Sequence, residues 1–266
     1  MPTPLWTKAR WIWTTSVKKR KMDGEVKMEG IFDRTALLLG FEAMERLRKS
    51  HVAVFGVGGV GGYIVEALAR SGIGEITVVD NDTVSPSNIN RQIIATSSSI
   101  GMKKTECARE RILSINSECI VHTYDTFFLP GKEEEFPFSS FSYIADAIDT
   151  VSGKLALAET AYRMGIPLIS SMGAGNKLDP TQFRISDIFS TDTDPLSRVM
   201  RRELKKRGIK KLKVVWSPEK PITPIKTMEE DNSKRRSTPG SVAFVPSVSG
   251  LIMAGEIIRT LAQGEA

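Results

Sequence analysis

Residues 51–61 read His51-Val52-Ala53-Val54-Phe55-Gly56-Val57-Gly58-Gly59-Val60-Gly61, an apolar run that breaks into glycines. His51 to Phe55 has the length and β-branched content of a buried strand, and a helical pattern follows through about Arg70. Glycines between a strand and a helix let backbone N–H groups approach a phosphate, while the helix N-terminus adds partial positive charge. A second strand is expected at Ile76 to Val79, and it ends at Asp80, 24 residues after Gly56. A carboxylate there can accept from a ribose hydroxyl. Gly56, Gly58, Gly59, Gly61 and Asp80 thus form a candidate nucleotide site. On this motif alone NAD is the default guess, and a purely structural glycine turn is the bland alternative.

Working outward, Leu37, Leu38, Phe41, Met44 and Leu47 sit at helical spacing before the first strand. Beyond Asp80, a helix is expected over about Lys103 to Ile115 and strands at Ile120 to Tyr124 and Tyr143 to Ile148. A helix over Ser152 to Met164 and a strand at Ile166 to Ser170 follow. Strands alternating with helices of this length predict an α/β, Rossmann-like, doubly wound and mostly parallel sheet. After Gly173 the rhythm changes. Gln182 to Ile188 reads as an edge strand, Pro195 to Arg207 as an amphipathic helix, and 217–240 as a mobile, proline-rich loop. The chain returns at Val242 to Val245, with a helix from Val248 to Leu261. Residues 172–266 therefore read as a C-terminal elaboration of one domain spanning 28–266. Residues 1–27 read as an appendage, with Met22 or Met28 as alternative starting points.

Composition narrows the chemistry. The two cysteines, Cys107 and Cys119, give neither a disulfide framework nor a four-cysteine zinc site. The two histidines, His51 and His122, fall on expected strands and read as structural. Their scarcity argues against paired imidazole ligands and against a Ser-His-Asp relay. No apolar run approaches the roughly 20 residues that span a bilayer, so a soluble, cytoplasmic protein is expected. Of the net charge of +6, residues 198–213 hold nine lysines and arginines against one acid, Glu203. That compact basic segment suits a localised anionic partner, with a solvated helix face as the alternative.

Three further segments can meet the glycine loop at the carboxyl ends of the strands, where doubly wound sheets bind ligands. Asn88-Ile89-Asn90-Arg91-Gln92 lies just past the Asp80 strand, Gly101-Met102-Lys103-Lys104 opens the next helix, and Asp149-Thr150-Val151-Ser152-Gly153-Lys154 ends a later strand. Arg91 and Lys104 suit a triphosphate, whose charge rises during displacement. Asp149 is placed to hold Mg²⁺. Together these residues favour ATP over NAD.

Gly-x-Gly-Gly-Val-Gly, Asp80-x-Asp82, Asn90-Arg91-Gln92, Lys103-Lys104 and Asp149 resemble the ThiF/MoeB-like superfamily, related to ubiquitin-activating enzymes. The resemblance implies that Asp80 binds ribose, Arg91 and Lys104 hold phosphates, and Asp149 coordinates Mg²⁺, with Asp82, Asn88, Asn90 and Gln92 completing the ATP site. It further implies a homodimer in which Arg34 reaches into the partner's site. Phe32-Asp33-Arg34-Thr35, Gly173-Ala174-Gly175, Leu178-Asp179-Pro180-Thr181, Asp194-Pro195-Leu196 and Phe244-Val245-Pro246 resemble, more finely, the tRNA threonylcarbamoyladenosine dehydratases within that superfamily. That resemblance implies adenylation of the threonylcarbamoyl carboxylate on tRNA, closure to a cyclic product and loss of AMP. The basic residues Arg198, Arg201, Arg202, Lys205, Lys206 and Lys210 then become candidates for contact with tRNA phosphates. Sulfur-transfer proteins are possible partners. The alternatives are an enzyme that adenylates a ubiquitin-like sulfur carrier and a non-catalytic nucleotide- or tRNA-binding module. Relatives of the first kind carry CxxC pairs, which this chain lacks.

Overall fold

In the computed structural model, β-branched segments pair into a seven-stranded sheet, with residues 30–225 and 239–264 described. The expected appendage 1–27 and residues 226–238 of the expected loop lie outside the described residues. In chain order the elements are α1 (Asp33–Leu39), α2 (Phe41–Lys49), β1 (His51–Phe55), α3 (Gly61–Arg70), β2 (Glu75–Val79), α4 (Lys104–Ile115) and β3 (Ile120–Tyr124). There follow β4 (Tyr143–Asp146), α5 (Val151–Met164), β5 (Leu168–Ser171), β6 (Arg184–Asp187), α6 (Pro195–Lys206), β7 (Lys213–Trp216) and α7 (Phe244–Gln263). The sheet order is β3-β2-β1-β4-β5-β7-β6, parallel throughout except for the antiparallel edge strand β6. Order reverses between β1 and β4. That reversal opens a crevice at the carboxyl ends of these two strands.

Alternation across the strands gives the sheet two cores. Val52, Val54, Ile76 and Val78 face α3, α4 and α7. Ala53, Phe55, Val79 and Ile144 face the other side, where α5 and α6 cover β4, β5 and β7. Over β1 and β2 on that side, Phe128, Phe136, Phe138 and Phe141 from the segment before β4 pack, with Phe55 and Phe128 5.1 Å apart in an edge-on contact.

The structure adds to or departs from the expected elements at four places. The helical pattern from Arg34 to Leu47 is two helices, because Gly40 takes φ +85° between them. Within that pattern only Leu47 is fully buried, while Leu37, Leu38 and Phe41 are exposed. β7 emerges from within the basic segment, inserted between β5 and the edge strand. Finally, α7 begins at Phe244 rather than Val248, since Pro246 falls in its first turn, where no N–H partner is lost. This helix is long and apolar enough to cross a membrane by length and composition, unlike any run expected from the sequence. Here Met253, Ala254, Ile257 and Leu261 instead bury against α2 and α3.

Candidate active site

The glycine loop is built by close approach. Gly56 continues the ladder by donating to Val79 O at 2.8 Å and turns with φ +86°. A Cβ on Gly61 would lie 1.7 Å from the Gly56 carbonyl oxygen, so the strand could not fold back into α3 with any side chain there. A Cβ on Gly56 would lie 2.7 Å from Ala147 O, which sets the loop directly against the turn after β4. The loop and the start of α3 thus lie at the carboxyl end of β1, on the crevice, where a helix N-terminus favours an anion.

Asp80, just after β2, ties this loop to its neighbours. Its Oδ2 accepts from the Val57 amide at 2.7 Å and its Oδ1 from the Asp82 amide at 2.9 Å. Lys104, almost wholly buried, donates to Asp82 Oδ2 at 2.7 Å and lies 4.0 Å from Asp80 Oδ1. Its place is fixed by the backbone, since its own amide donates to Asp82 O at 3.0 Å. Asp80, Asp82 and Lys104 are thus one charged cluster beside the glycine amides.

The Asn88–Gln92 segment lies over the loop. Asn88 Oδ1 accepts from the Ser85 amide at 3.1 Å, so this side chain holds the turn rather than projecting from it. Asn90 donates to Ser241 O at 3.0 Å. Arg91 donates to Ser87 O and to Asn90 Oδ1, each at 2.9 Å, and its Cγ would lie 3.4 Å from a Cβ on Gly59. Gln92 is buried beside Gly58, and its Oε1 has no hydrogen-bond donor. A buried acceptor without a donor is costly, and a ribose hydroxyl or a purine amino group would satisfy it. The residues present therefore fit a nucleotide.

Asp149 is exposed on the turn between β4 and α5. Beneath it lies a buried network that sequence reasoning missed. Lys154 donates to Asp146 Oδ1 at 3.1 Å, Ser170 Oγ at 3.2 Å and Ser171 O at 2.7 Å, while Ser170 Oγ donates to Asp146 Oδ2 at 2.5 Å. Asp146 Oδ1 also accepts from the Ile148 amide at 3.3 Å, which braces the turn carrying Asp149. The one available signal was the spacing of Asp146, Asp149 and Lys154 around a strand end. Lys177, also buried, donates to Ser217 O at 2.9 Å and lies 3.7 Å from Asp194 Oδ2. Burial lowers its pKa, against the raising influence of Asp194 and Glu219.

The remaining expected residues lie elsewhere. Arg34 is exposed on α1. On α6 and just after it, Arg198, Arg202, Lys205, Lys206 and Lys210 are exposed, whereas Arg201 is half-buried and donates to the carbonyl of Thr191 at 2.8 Å and to its hydroxyl. Glu203 pairs with Arg202 and Lys206 at 3.0 Å and with Arg207 at 3.1 Å. Hydrogen bonds from Lys206, Arg202 and Arg207 pull its carboxyl down to about 2. Asp194, the N-cap of α6, sits against Gly173 after β5, while Lys213 opens β7 opposite Ile169 at the start of β5. The helix therefore runs away from the crevice, and its basic end lies toward the amino edge of the sheet. Both cysteines are buried; burial raises the Cys107 thiol and pushes Cys119 up to about 12. Neither is a ready nucleophile.

A family model described as the ThiF family matches residues 32–266. The chain belongs to the ThiF family. Among curated ThiF relatives, a tRNA threonylcarbamoyladenosine dehydratase of Bacillus subtilis is 45% identical over 238 residues, covering 86% of this chain and 94% of its own length. A crystal structure of the Escherichia coli tRNA N6-threonylcarbamoyladenosine dehydratase with ATP superposes with a TM-score of 0.80 at 35% identity, covering 88% of this chain and 94% of that one. The same enzyme with AMP gives 0.80 at 34% identity, covering 91% and 99%.

Proposed function

We propose that this ThiF-family chain is an ATP-dependent tRNA threonylcarbamoyladenosine dehydratase acting in the cytoplasm. The observation that carries it is the glycine loop held to Asp80 at 2.7 Å, in a chain 45% identical to a dehydratase along nearly its whole length. Two chemistries must be served. A substrate carboxylate has to displace pyrophosphate from ATP, and the resulting acyl-adenylate has to be closed by the neighbouring carbamoyl group. The carboxylate oxygen leaves with AMP, so the nucleoside loses the elements of water overall.

In this reading Asp80, Asn88, Asn90 and Gln92 shape the nucleoside end, and the amides of Gly56, Gly58, Gly59 and Gly61 face the phosphates. Lys104, held by Asp82, and Arg91 add positive charge where charge accumulates in the displacement. Asp149 would hold Mg²⁺, which supplies neutralisation of phosphate charge when bound. Ring closure is intramolecular and needs no protein thiol. That agrees with two buried cysteines and disfavours a sulfur-carrier substrate.

The dimer belongs to the same proposal. Leu37 and Leu38, 62% and 87% exposed, flank Arg34 together with exposed Ile31 and Phe41, an apolar surface that a second copy would cover. Arg198, Arg202, Lys205, Lys206 and Lys210 are the proposed tRNA phosphate contacts.

Asp149→Ala tests the site. Asp149 is exposed and contributes little packing, so the melting temperature should stay within about 2 °C of wild type, as ordinary surface substitutions do. Pyrophosphate release with modified tRNA should fall at least about 100-fold, the scale of losing one electrostatic group. Near wild-type release would remove Asp149 from the mechanism.

A further inference from the structure

The two histidines of this chain stand side by side. Register is the cause. β1 sets His51 opposite Glu75 on β2, and β2 sets Thr77 opposite His122 on β3. Opposed and alternate residues share a face, so all four side chains leave the sheet together. They do so at the amino ends of β1 and β2, the far end of those strands from Gly56 and Asp80.

The geometry there is that of a ligand set. Glu75 Oε1 lies 2.7 Å from His122 Nε2 and 3.4 Å from His51 Nδ1, and the two rings are 5.5 Å apart. One ligand atom from each residue falls within 4.8 Å of the others. Tetrahedral zinc with bonds of about 2.0–2.1 Å separates its ligand atoms by about 3.3 Å. The His51–Glu75 spacing already matches. The shorter His122–Glu75 contact can open, because these side chains are 44% and 35% exposed.

The surroundings prepare the buried ring. His51 Nε2 is 2.8 Å from Thr77 Oγ1, a hydroxyl that can accept a hydrogen bond from Nε2–H in the tautomer that leaves Nδ1 as the lone-pair nitrogen. Ser140 Oγ lies 3.1 Å from Nδ1 and 2.8 Å from Pro137 O; with its one proton on Pro137 O, it leaves the Nδ1 lone pair for a metal ion. Fixing one ring nitrogen through the other is how metal-binding histidines are oriented. An edge-on contact with Phe141, 5.0 Å between ring centroids, further holds the ring.

We infer that His51, Glu75 and His122 bind a divalent transition-metal ion at the amino edge of the sheet, with water in the remaining position on the solvent side. Two imidazoles and a carboxylate are the donors of zinc rather than of magnesium. Such an ion would link β1, β2 and β3 and act apart from the nucleotide crevice.

The test uses full-length, tag-free protein treated with chelator and titrated with Zn²⁺ in the absence of nucleotide, by calorimetry and by thermal melting. One ion per chain and a Zn²⁺-dependent rise in melting temperature are expected. His122→Ala and Glu75→Gln, both at partly exposed positions, should each weaken zinc binding by at least the roughly 10–100-fold that loss of a mere outer-shell partner costs. Both variants should retain wild-type ATP binding. Absence of stoichiometric zinc binding by the wild type, or wild-type zinc affinity in either variant, would overturn the inference.

Discussion

Lys154 and Asp146 are each about 1% exposed, and their ion pair sits directly under the turn that presents Asp149. Two charges removed from water are tolerable only while paired and fully hydrogen-bonded, a condition that Ser170 and the Ser171 carbonyl complete. Lys154→Ala strands the Asp146 carboxylate, so a loss of about 3–5 kcal/mol is expected in urea denaturation. An unchanged unfolding midpoint would mean that the network is dispensable. At this scale the sequence was partly legible. Asp80 and Lys104 could be picked out because a strand end and a helix start fix where their side chains emerge. Lys154 could not, because its partners come from β4 and β5 and meet only when those strands pair. The histidines illustrate the same limit: 71 residues separate His51 from His122, and register alone unites them.

Among the elements, α6 matters most for the proposed partner. Its apolar face, Met200 and Leu204, is buried, and its outer face carries the basic residues, as the helical period predicts. What the period does not reveal is Glu203, which neutralises part of that face by pairing with Arg202, Lys206 and Arg207. Glu203→Gln should release three cations toward solvent. Binding to tRNA should then tighten a few-fold at low salt, with a steeper dependence on salt concentration. Unchanged affinity and salt slope would separate this face from tRNA binding. β7 escaped the sequence reading for a related reason. Lys213 begins the strand and is spent on Glu256 at 2.6 Å, so a residue that reads as part of a basic run belongs to the sheet. The early start of α7 followed from Pro246, a helix breaker elsewhere that is harmless in a first turn.

For the whole molecule, alternation of strands and helices was enough to foretell a doubly wound sheet, because parallel strands require crossovers and crossovers of this length are helices. The reversal of order between β1 and β4 then dictates where a ligand binds, and the glycine loop, Asp80 and Asp149 all lie at that edge. The order β5-β7-β6 could not be foreseen, since β6 and β7 are short and the later strand inserts between the earlier ones. Arg34 likewise acquires a role only if a second copy covers the apolar surface around Leu37 and Leu38. The central claim is the reaction itself, and nucleoside mass spectrometry tests it most directly. Threonylcarbamoylated tRNA incubated with the protein, ATP and Mg²⁺ should yield a modified nucleoside lighter by one water, and only when ATP is present. An unchanged nucleoside from folded protein that binds ATP would contradict the account and turn attention to a protein carboxylate as the substrate.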